Sequence, residues 1–172
     1  PFLHAPRPAR PNGRGKFFPV EWQPPIEQPD SEYPLVLSTG RTLVFFGDGR
    51  GFATAVDAQT GGELWTTAIE AHPLAKVTAA PTFFADRVYV PMSSIEDPLQ
   101  HDPSYECCTF RGSVASLDAQ TGRLLWKTYT IAEAPKPLPR PAPGEPQRYA
   151  PAGGAIWTPL TVDAKRNLVY AA

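Results

Sequence analysis

Short runs of apolar and β-branched residues, separated by polar turn-forming residues, recur from residue 42 to the end of the chain. Each run has four or five residues and is flanked by Gly, Pro or Asp, which is the pattern of short β-strands. The runs occupy residues 42–46, 52–56, 86–90, 113–117 and 167–170. We find no convincing apolar pattern of helical period. The pattern therefore predicts an all-β fold.

Two of these strands lead into a repeated turn. Residues 56–67 match residues 117–128 at eight of twelve positions, with an offset of 61 residues. The shared sequence Asp-Ala-Gln-Thr-Gly begins with a side chain that accepts hydrogen bonds from backbone amides two residues on. It ends with a glycine that can adopt a positive φ. Each copy therefore predicts a tight hairpin turn within a repeated supersecondary unit.

Each repeat carries one tryptophan after the turn, Trp65 or Trp126, a side chain suited to packing between neighbouring sheets. Short antiparallel strands with one Trp per unit favour β-propeller blades, whose usual repeat is ~40 to 50 residues. An insertion at residues 96–109 of the second unit explains the longer offset. A sandwich or barrel with two similar hairpins is the alternative.

The units do not add up to a closed propeller. Residues 42–67 form the later part of one blade, residues 80–130 a full blade and residues 154–172 the opening of a third. Because a propeller needs at least ~4 blades, we expect a partial β-propeller of about two blades, cut from a larger ring. Its exposed strand edges should make it poorly stable alone.

Proline is concentrated in two segments. Of the 22 prolines, nine lie in residues 1–41 and seven in residues 132–151. We therefore divide the chain into a Pro-rich N-terminal extension, 1–41, and the partial propeller, 42–172. The run from residue 135 to 151 is interpreted as a polyproline-like loop between blades.

Charge and hydropathy exclude several functions. The net charge of −1 argues against a nucleic-acid-binding or polybasic membrane protein. No apolar run approaches the ~20 residues that span a bilayer. The first residues, Pro-Phe-Leu-His, contain neither an initiator Met nor a signal peptide, so we expect that the chain begins mid-sequence or has been processed.

The two cysteines, Cys107 and Cys108, are adjacent. Neighbouring Cα atoms across a trans peptide lie ~3.8 Å apart, which is less than in most disulfides. The residues alone leave three interpretations open: two reduced thiols, a vicinal disulfide formed in an oxidising compartment, or a zinc site completed by His72 or His101.

Several longer strings are similar to a known family. They are Val-Pro-Met-Ser-Ser-Ile-Glu (90–96), Tyr-Glu-Cys-Cys-Thr-Phe-Arg-Gly-Ser-Val (105–114), the second repeat copy continued to residue 131, and Ile-Trp-Thr-Pro-Leu-Thr-Val-Asp-Ala-Lys-Arg (156–166). Together they closely resemble the polyvinyl alcohol dehydrogenase group of quinoprotein dehydrogenases. The resemblance implies a periplasmic eight-bladed propeller that holds pyrroloquinoline quinone (PQQ) and Ca²⁺, oxidises alcohols and passes electrons to a cytochrome c or haem domain.

The resemblance also implies roles for individual residues. It assigns Trp157 to stacking on the quinone plane, Thr78 and Ser94 to hydrogen bonds with the cofactor, Arg111 to a PQQ carboxylate, and Glu96 to Ca²⁺. In this sequence the cysteine pair occupies the loop that usually carries the calcium glutamate. Glu106 therefore competes with Glu96 and Asp97 for the metal, and Cys107 and Cys108 are candidates for stacking on PQQ.

The family's further metal ligand and its aspartate base both lie beyond a position corresponding to Ala172. Because alcohol oxidation needs a base within hydrogen-bond reach, we expect no turnover by this chain alone.

Residues 12–41 resemble a different family, the molybdopterin oxidoreductases of the formate dehydrogenase type. The similarity is carried by Gly-Lys-Phe-Phe-Pro-Val-Glu-Trp-Gln-Pro-Pro (15–25) and by Asp-Ser-Glu-Tyr-Pro-Leu-Val-Leu-Ser-Thr-Gly-Arg (30–41). We expect the two resemblances to meet near residues 40–44. A Pro-rich linker that imitates the family is the alternative.

The leading functional hypothesis is thus part of a PQQ- and calcium-dependent alcohol dehydrogenase. One alternative is a non-catalytic propeller used in binding or assembly. Another is a remnant of a formate dehydrogenase-type oxidoreductase fused to a propeller.

Overall fold

The structure is a computed structural model that describes residues 40–140 and 142–172, so the resemblance over residues 12–41 lies almost wholly outside the described residues. Strands β1 (Leu43–Gly47), β2 (Phe52–Asp57) and β3 (Glu63–Ala68) form an antiparallel sheet in chain order. These strands coincide with the first copy of the repeat and with the two strands predicted before it.

A second, larger antiparallel sheet contains the other copy of the repeat. Its strands are β4 (Ala75–Lys76), β5 (Thr82–Phe84), β6 (Arg87–Ser94), β7 (Ser113–Asp118) and β8 (Leu124–Tyr129). Strand β6 pairs with β4 and β5 on one side and with β7 on the other, and β7 pairs with β8. The long β6 thus runs through the centre of this sheet and ends at the pocket described below.

Smaller elements complete the described part of the chain. A single-turn helix, α1 (Glu96–Leu99), follows β6. Two antiparallel pairs come later: β9 (Lys136–Pro137) with β10 (Tyr149–Ala150), and β11 (Thr161–Asp163) with β12 (Leu168–Tyr170). The Pro-rich run predicted as a loop therefore contains a short hairpin.

The repeated turn has the same geometry in both copies. Asp57 Oδ1 accepts hydrogen bonds from the amides two and three residues on, both at 3.0 Å, and Asp118 Oδ1 does so at 3.1 and 2.9 Å. The closing glycines adopt left-handed φ values of 70° at Gly61 and 69° at Gly122. A β-bulge interrupts the strand pairing at the same point before each turn. The predicted turn chemistry is present in detail.

One apolar core joins the two larger sheets. Leu43 of the first sheet and Val88, Val90, Met92 and Leu117 of the second are all fully buried and belong to one contiguous cluster. Removing these side chains from water is the main favourable contribution to the packing of one sheet on the other. Two face-packed antiparallel sheets of the repeated sequence are adjacent propeller blades, and the all-β, partial-propeller prediction is confirmed.

The repeat tryptophans lie at the boundaries between units. Trp65 is buried between the first and second sheets, with its ring centroid 5.9 Å from that of Phe45. Trp126 is partly buried against Tyr89, at 6.0 Å between ring centroids, in a smaller cluster that contains Ile156 and Leu160. Val162 of β11 and Val169 of β12 pack on the same cluster. This second tryptophan thus attaches the opening of the third unit to the second.

Outer strands retain exposed apolar side chains. Val44 and Phe46 on β1 are 40% and 44% exposed, and Leu168 and Tyr170 on β12 are 47% and 50% exposed. No helix within residues 40–140 and 142–172 combines the length and the apolarity needed to cross a bilayer.

Candidate functional site

A cavity of about 650 Å³ opens where β6 ends. The α1 segment, the cysteine pair, the β9–β10 hairpin and residues 152–157 form its walls. The lining includes side chains that the sequence singled out, such as Ser94, Glu96 and Trp157, and others that it did not, such as Arg148.

Glu96 anchors the loop that carries the cysteines. Its side chain is buried, and its Oε1 accepts a hydrogen bond from the Thr109 amide at 2.8 Å while Oε2 accepts one from the Phe110 amide at 2.8 Å. The Tyr105 hydroxyl donates to Oε1 at 3.1 Å. The Ser94 hydroxyl in turn accepts a hydrogen bond from the Glu96 backbone amide at 2.9 Å. This carboxylate therefore ties the far end of the insertion back to its first residue, beside the end of β6.

Two ionisable neighbours adjoin this carboxylate. The Nε2 atom of His72 lies 3.6 Å from Glu96 Oε1 and 3.0 Å from the Thr109 hydroxyl. The other ring nitrogen, Nδ1, accepts a hydrogen bond from the Leu74 backbone amide. Burial, and then the hydrogen bond to Glu96 and its negative charge, raise the pKa of Tyr105 to about 12. Tyr105 is therefore a hydrogen-bond donor at all physiological pH values.

The cysteine sulfurs are joined as a disulfide across a cis peptide bond. Of the three interpretations left open by the sequence, the structure shows the vicinal disulfide. The sulfurs lie within 4.8 Å of a Glu96 carboxylate oxygen. Cys107 is buried, while Cys108 is half-buried and also lines the cavity.

The opposite wall comes from the Pro-rich hairpin. The Cys107 amide donates to the Gln147 carbonyl at 3.0 Å, and the Tyr149 amide donates to the Cys107 carbonyl at 2.8 Å. These bonds create a parallel bridge between Cys107 and Arg148. Two insertions that are distant in sequence are thus held together at the pocket.

Residues 152–157 approach through glycines. The Gly112 amide donates to the Gly153 carbonyl at 2.8 Å, and the Gly153 amide donates to the Phe110 carbonyl at 2.7 Å. A Cβ atom at Gly112 would lie 1.8 Å from the Gly154 carbonyl oxygen, so only glycine permits this approach. The segment places the Trp157 side chain, 49% exposed, in the pocket lining.

Six of the candidate site residues thus meet at one cavity: Ser94, Glu96, Asp97, Cys107, Cys108 and Trp157. Thr78 is outside the lining, and its hydroxyl shares a 2.7 Å hydrogen bond with Ser93. Glu106 is exposed and pairs at 3.9 Å with Arg140. Its predicted competitor Asp97 does line the cavity, with an exposed side chain.

Arg111 points elsewhere in the structure. Its guanidinium donates to the carbonyls of Ile131 and Ala132, at 3.1 and 2.9 Å, and lies 3.8 Å from the centroid of the Tyr129 ring. It does not line the cavity.

Arg148 was missed by sequence reasoning and lines the cavity. Arg148 reaches the cavity because residues 147 and 149 pair through their backbones with Cys107. The sequence around Arg148 and the sequence around Cys107 give no sign of this long-range pairing.

The pocket combines flat apolar surface with both basic and acidic side chains. An indole, a phenyl ring and a disulfide provide apolar surface, and Ser94, Gln100 and Arg148 provide polar contacts. Glu96 supplies a buried carboxylate, and within the described ranges the only basic group within 4 Å of it is the His72 imidazole. Since buried charges are normally paired or bound to metals, the carboxylate also suits a cation.

The sequence profile of the PQQ family, described as the glucose/ethanol/alcohol dehydrogenase β-propeller domain, matches residues 72–172. The chain belongs to this family. The PQQ-family chain is 37% identical to polyvinylalcohol dehydrogenase from Sphingopyxis sp. strain 113P3, over 88% of this chain and 24% of that protein. It is 43% identical to a polyvinylalcohol dehydrogenase from a Pseudomonas species, over 75% of this chain and 20% of that protein. The chain therefore spans about a quarter or less of these relatives' length.

A solved structure agrees with the propeller assignment. The structure of quinohemoprotein alcohol dehydrogenase ADHIIG from Pseudomonas putida HK5 superimposes with a TM-score of 0.55 at 26% identity. The match covers 75% of this chain and 19% of that chain. The predicted resemblance to PQQ-type quinoproteins is confirmed.

The second resemblance is also found. F420-dependent formate dehydrogenase 2 subunit alpha from Methanococcus maripaludis is 49% identical over 49 residues, which is 28% of this chain and 7% of that protein. The chain therefore carries segments similar to two oxidoreductase families.

Proposed function

We propose that this chain is part of a PQQ- and calcium-dependent quinoprotein dehydrogenase that oxidises alcohols of the polyvinyl alcohol type. The observation that carries the proposal is the convergence of Glu96, the Cys107–Cys108 disulfide and Trp157 on one cavity. The relatives named polyvinylalcohol dehydrogenase support the substrate class. Bound PQQ would accept the electron pair released when the alcohol is oxidised.

Within this proposal the chain's own residues bind and position the cofactor. Trp157 and the disulfide offer flat, polarisable surfaces for the quinone ring system. Ser94 and Thr78 remain the proposed hydrogen-bonding residues. Thr78 would act from outside the present lining, through its neighbour Ser93, whose hydroxyl it contacts. Arg111 remains a proposed carboxylate partner on the family resemblance alone.

Calcium is proposed at Glu96. Its carboxylate is buried, faces the cavity and has no Lys or Arg partner among the described residues. Oxygen ligands are what Ca²⁺ prefers. Glu106 is the proposed alternative ligand, although it is exposed and its carboxylate pairs with Arg140.

The location and electron acceptor of the complete protein are proposed from the family resemblance. We propose that the complete protein is periplasmic and passes electrons to a cytochrome c-type acceptor. We also propose that the present chain does not turn over alcohol alone, because it spans about a quarter or less of its curated relatives. Clear PQQ- and Ca²⁺-dependent turnover by the isolated chain would contradict this last statement.

A direct test is titration of PQQ into the chain with Ca²⁺ present, followed by tryptophan fluorescence. We expect saturable quenching that is largely lost in Trp157→Phe and kept in the matched variant Trp126→Phe, whose ring packs on Tyr89 away from the cavity. Absence of quenching, or quenching that does not depend on Trp157, would favour a non-catalytic binding propeller.

The metal assignment needs its own comparison. If Ca²⁺ binds at Glu96, chelation should weaken PQQ binding in the wild-type chain and in Glu106→Gln, and it should have no further effect in Glu96→Gln. The reverse pattern would assign the ion to Glu106.

We also propose that the formate dehydrogenase-like and PQQ-family segments meet near residues 40–44. Sequencing reads that span codons 35–50 of the locus test this: reads that never cross the junction would exclude a genuine fusion.

A further inference from the structure

We propose that Arg148 binds a carboxylate of the anionic ligand held in the pocket. The proposal deepens the function proposed above, since PQQ is an aromatic polycarboxylate. It differs from the family expectation, which gives that role to Arg111. Within the described residues Arg148 is the one Lys or Arg side chain that lines the cavity, and the acidic residues there are Glu96 and Asp97.

The position of Arg148 is set by backbone bonds on both sides of it. The carbonyl of residue 147 and the amide of residue 149 both pair with Cys107, at 3.0 and 2.8 Å. Arg148 is therefore held opposite the disulfide. The hairpin is further braced by the side-chain amide of Gln147, whose Nε2 donates to the carbonyls of Leu138 and Arg148 at 2.7 and 2.8 Å. The side chain thus extends from a fixed point of the wall.

The guanidinium of Arg148 is also available for binding. In the structure it donates one hydrogen bond, at 3.3 Å, to the Gln100 carbonyl. A guanidinium has five N–H donors in a planar fork that matches a carboxylate. Arg111, in contrast, makes two carbonyl contacts and covers the Tyr129 ring.

Neighbouring basic and acidic groups do not take over this role. Arg140 on the same hairpin is engaged by Gln147 at 3.1 Å and by Glu106 at 3.9 Å, and it does not line the cavity. Within the described residues no carboxylate oxygen of Glu96 or Asp97 lies within 4 Å of the Arg148 guanidinium, so neither forms an ion pair with it. A cation opposite a disulfide at the mouth of an aromatic pocket is suited to an aromatic carboxylate.

The test compares Arg148→Gln and Arg148→Lys with Arg140→Gln. The last variant makes the same charge change on the same hairpin but outside the cavity. PQQ with Ca²⁺ is titrated by tryptophan quenching, and benzene-1,3,5-tricarboxylate is titrated by calorimetry at two salt concentrations. We expect Arg148→Gln to weaken both ligands by about tenfold or more and to reduce their salt dependence. Arg148→Lys should lose less, and Arg140→Gln should stay within about twofold of wild type.

The outcomes separate this inference from the proposed function. PQQ affinity that is unchanged in Arg148→Gln would overturn the inference and leave the proposed function standing. Binding of the tricarboxylate that depends on Arg148, without any binding of PQQ, would support the inference and contradict the proposed cofactor. Binding of neither ligand by the wild-type chain would overturn both. Circular dichroism checks each variant's fold, and an intermediate loss in a folded Arg148→Lys variant supports the inference if Arg148→Gln does not fold.

Discussion

The indole N–H of Trp65 donates a hydrogen bond to the carbonyl of Ala119 at 3.0 Å, across 54 residues of sequence. Ala119 belongs to the second copy of the repeated turn, so the tryptophan of one blade rests on the turn of the next. The Thr67 hydroxyl makes a similar link, to the Gly122 carbonyl at 2.7 Å. The repeat therefore encodes both the hairpins and their contact.

This contact predicts that the two equivalent glycines respond differently to substitution. Both have a left-handed φ, so Ala at either position brings a strain of about 1 kcal/mol. A Cβ at Gly122 would also lie 2.5 Å from the Trp65 ring, whereas a Cβ at Gly61 would meet nothing within 4 Å. We expect Gly122→Ala to lower the free energy of unfolding by about 1–3 kcal/mol more than Gly61→Ala.

Urea unfolding followed by circular dichroism measures this difference, with Gly61→Ala as the matched control. Equal midpoints for the two variants would show that the Trp65 contact with the second turn does not contribute to stability.

Local chemistry explains why this part of the fold was predictable. The Asp-Ala-Gln-Thr-Gly turn is formed by bonds between residues at most five apart, such as the Gly122 amide to the Asp118 carbonyl at 2.9 Å. A short sequence is therefore sufficient to specify it. The position of Trp65 follows, because a large side chain repeated once per unit has to be buried at a boundary between units.

The site was only partly predictable, because long-range pairing decides which side chains face the cavity. Glu96 and Trp157 reach it as the resemblance implies. Arg111 donates instead to the carbonyls of Ile131 and Ala132, just after β8, and Arg148 reaches the cavity because the Pro-rich hairpin pairs with Cys107. The sequence near Arg111 and near Arg148 does not indicate either of these positions.

Glu96 should control the ionisation of Tyr105. Burial, the Glu96 hydrogen bond and the Glu96 charge together raise the Tyr105 pKa to about 12. In Glu96→Gln the negative charge is removed while burial remains, so we expect the pKa to fall part of the way towards its ordinary value near 10. Titration of phenolate absorbance at 295 nm measures this shift, and Tyr105→Phe identifies the signal.

The same shift predicts the alkaline stability of the wild-type chain. Because the folded state holds the Tyr105 proton more tightly than the unfolded chain, this contribution is complete below about pH 10. It is lost progressively as the pH rises towards 12. If Tyr105→Phe left the alkaline dependence of the unfolding midpoint unchanged, the linkage would be refuted.

Lys127 and Glu70 form a largely buried ion pair that joins β8 to the end of the first sheet. The Lys127 ammonium also donates to the Ile69 carbonyl at 3.0 Å. Burial tends to raise the pKa of Glu70, but the hydrogen bond and charge of Lys127, together with hydrogen bonds from the His72 and Ala71 amides, outweigh it and hold that pKa below its ordinary value. Lys127→Met should therefore destabilise the chain at pH 7 by about 1–2 kcal/mol.

The pH dependence of this effect has a defined sign. A lowered Glu70 pKa stabilises the folded state above pH ~4.5, and this stabilisation is lost as the pH falls through the folded value. The difference between wild type and Lys127→Met should therefore shrink in acid. Chemical unfolding at pH 7 and at pH 4 measures it, with the exposed Lys165→Met as control. A difference of equal size at both pH values would rule out the ion pair as its origin.

Gly112 should be required for the pocket wall, because it lies where residues 152–157 cross the start of β7. Its φ is not left-handed, so an alanine there would be disfavoured by contact alone: the added methyl would lie 1.8 Å from the Gly154 carbonyl oxygen. We expect Gly112→Ala to displace this segment, to break the 2.8 Å bond to Gly153 and to destabilise the chain by about 3 kcal/mol. Since the segment carries Trp157, quenching by PQQ should be lost as well.

Gly49→Ala is the matched control, because its nearest neighbour is the flexible Lys76 ammonium at 3.5 Å. Wild-type PQQ affinity in a stably folded Gly112→Ala variant would show that the crossing does not position the tryptophan.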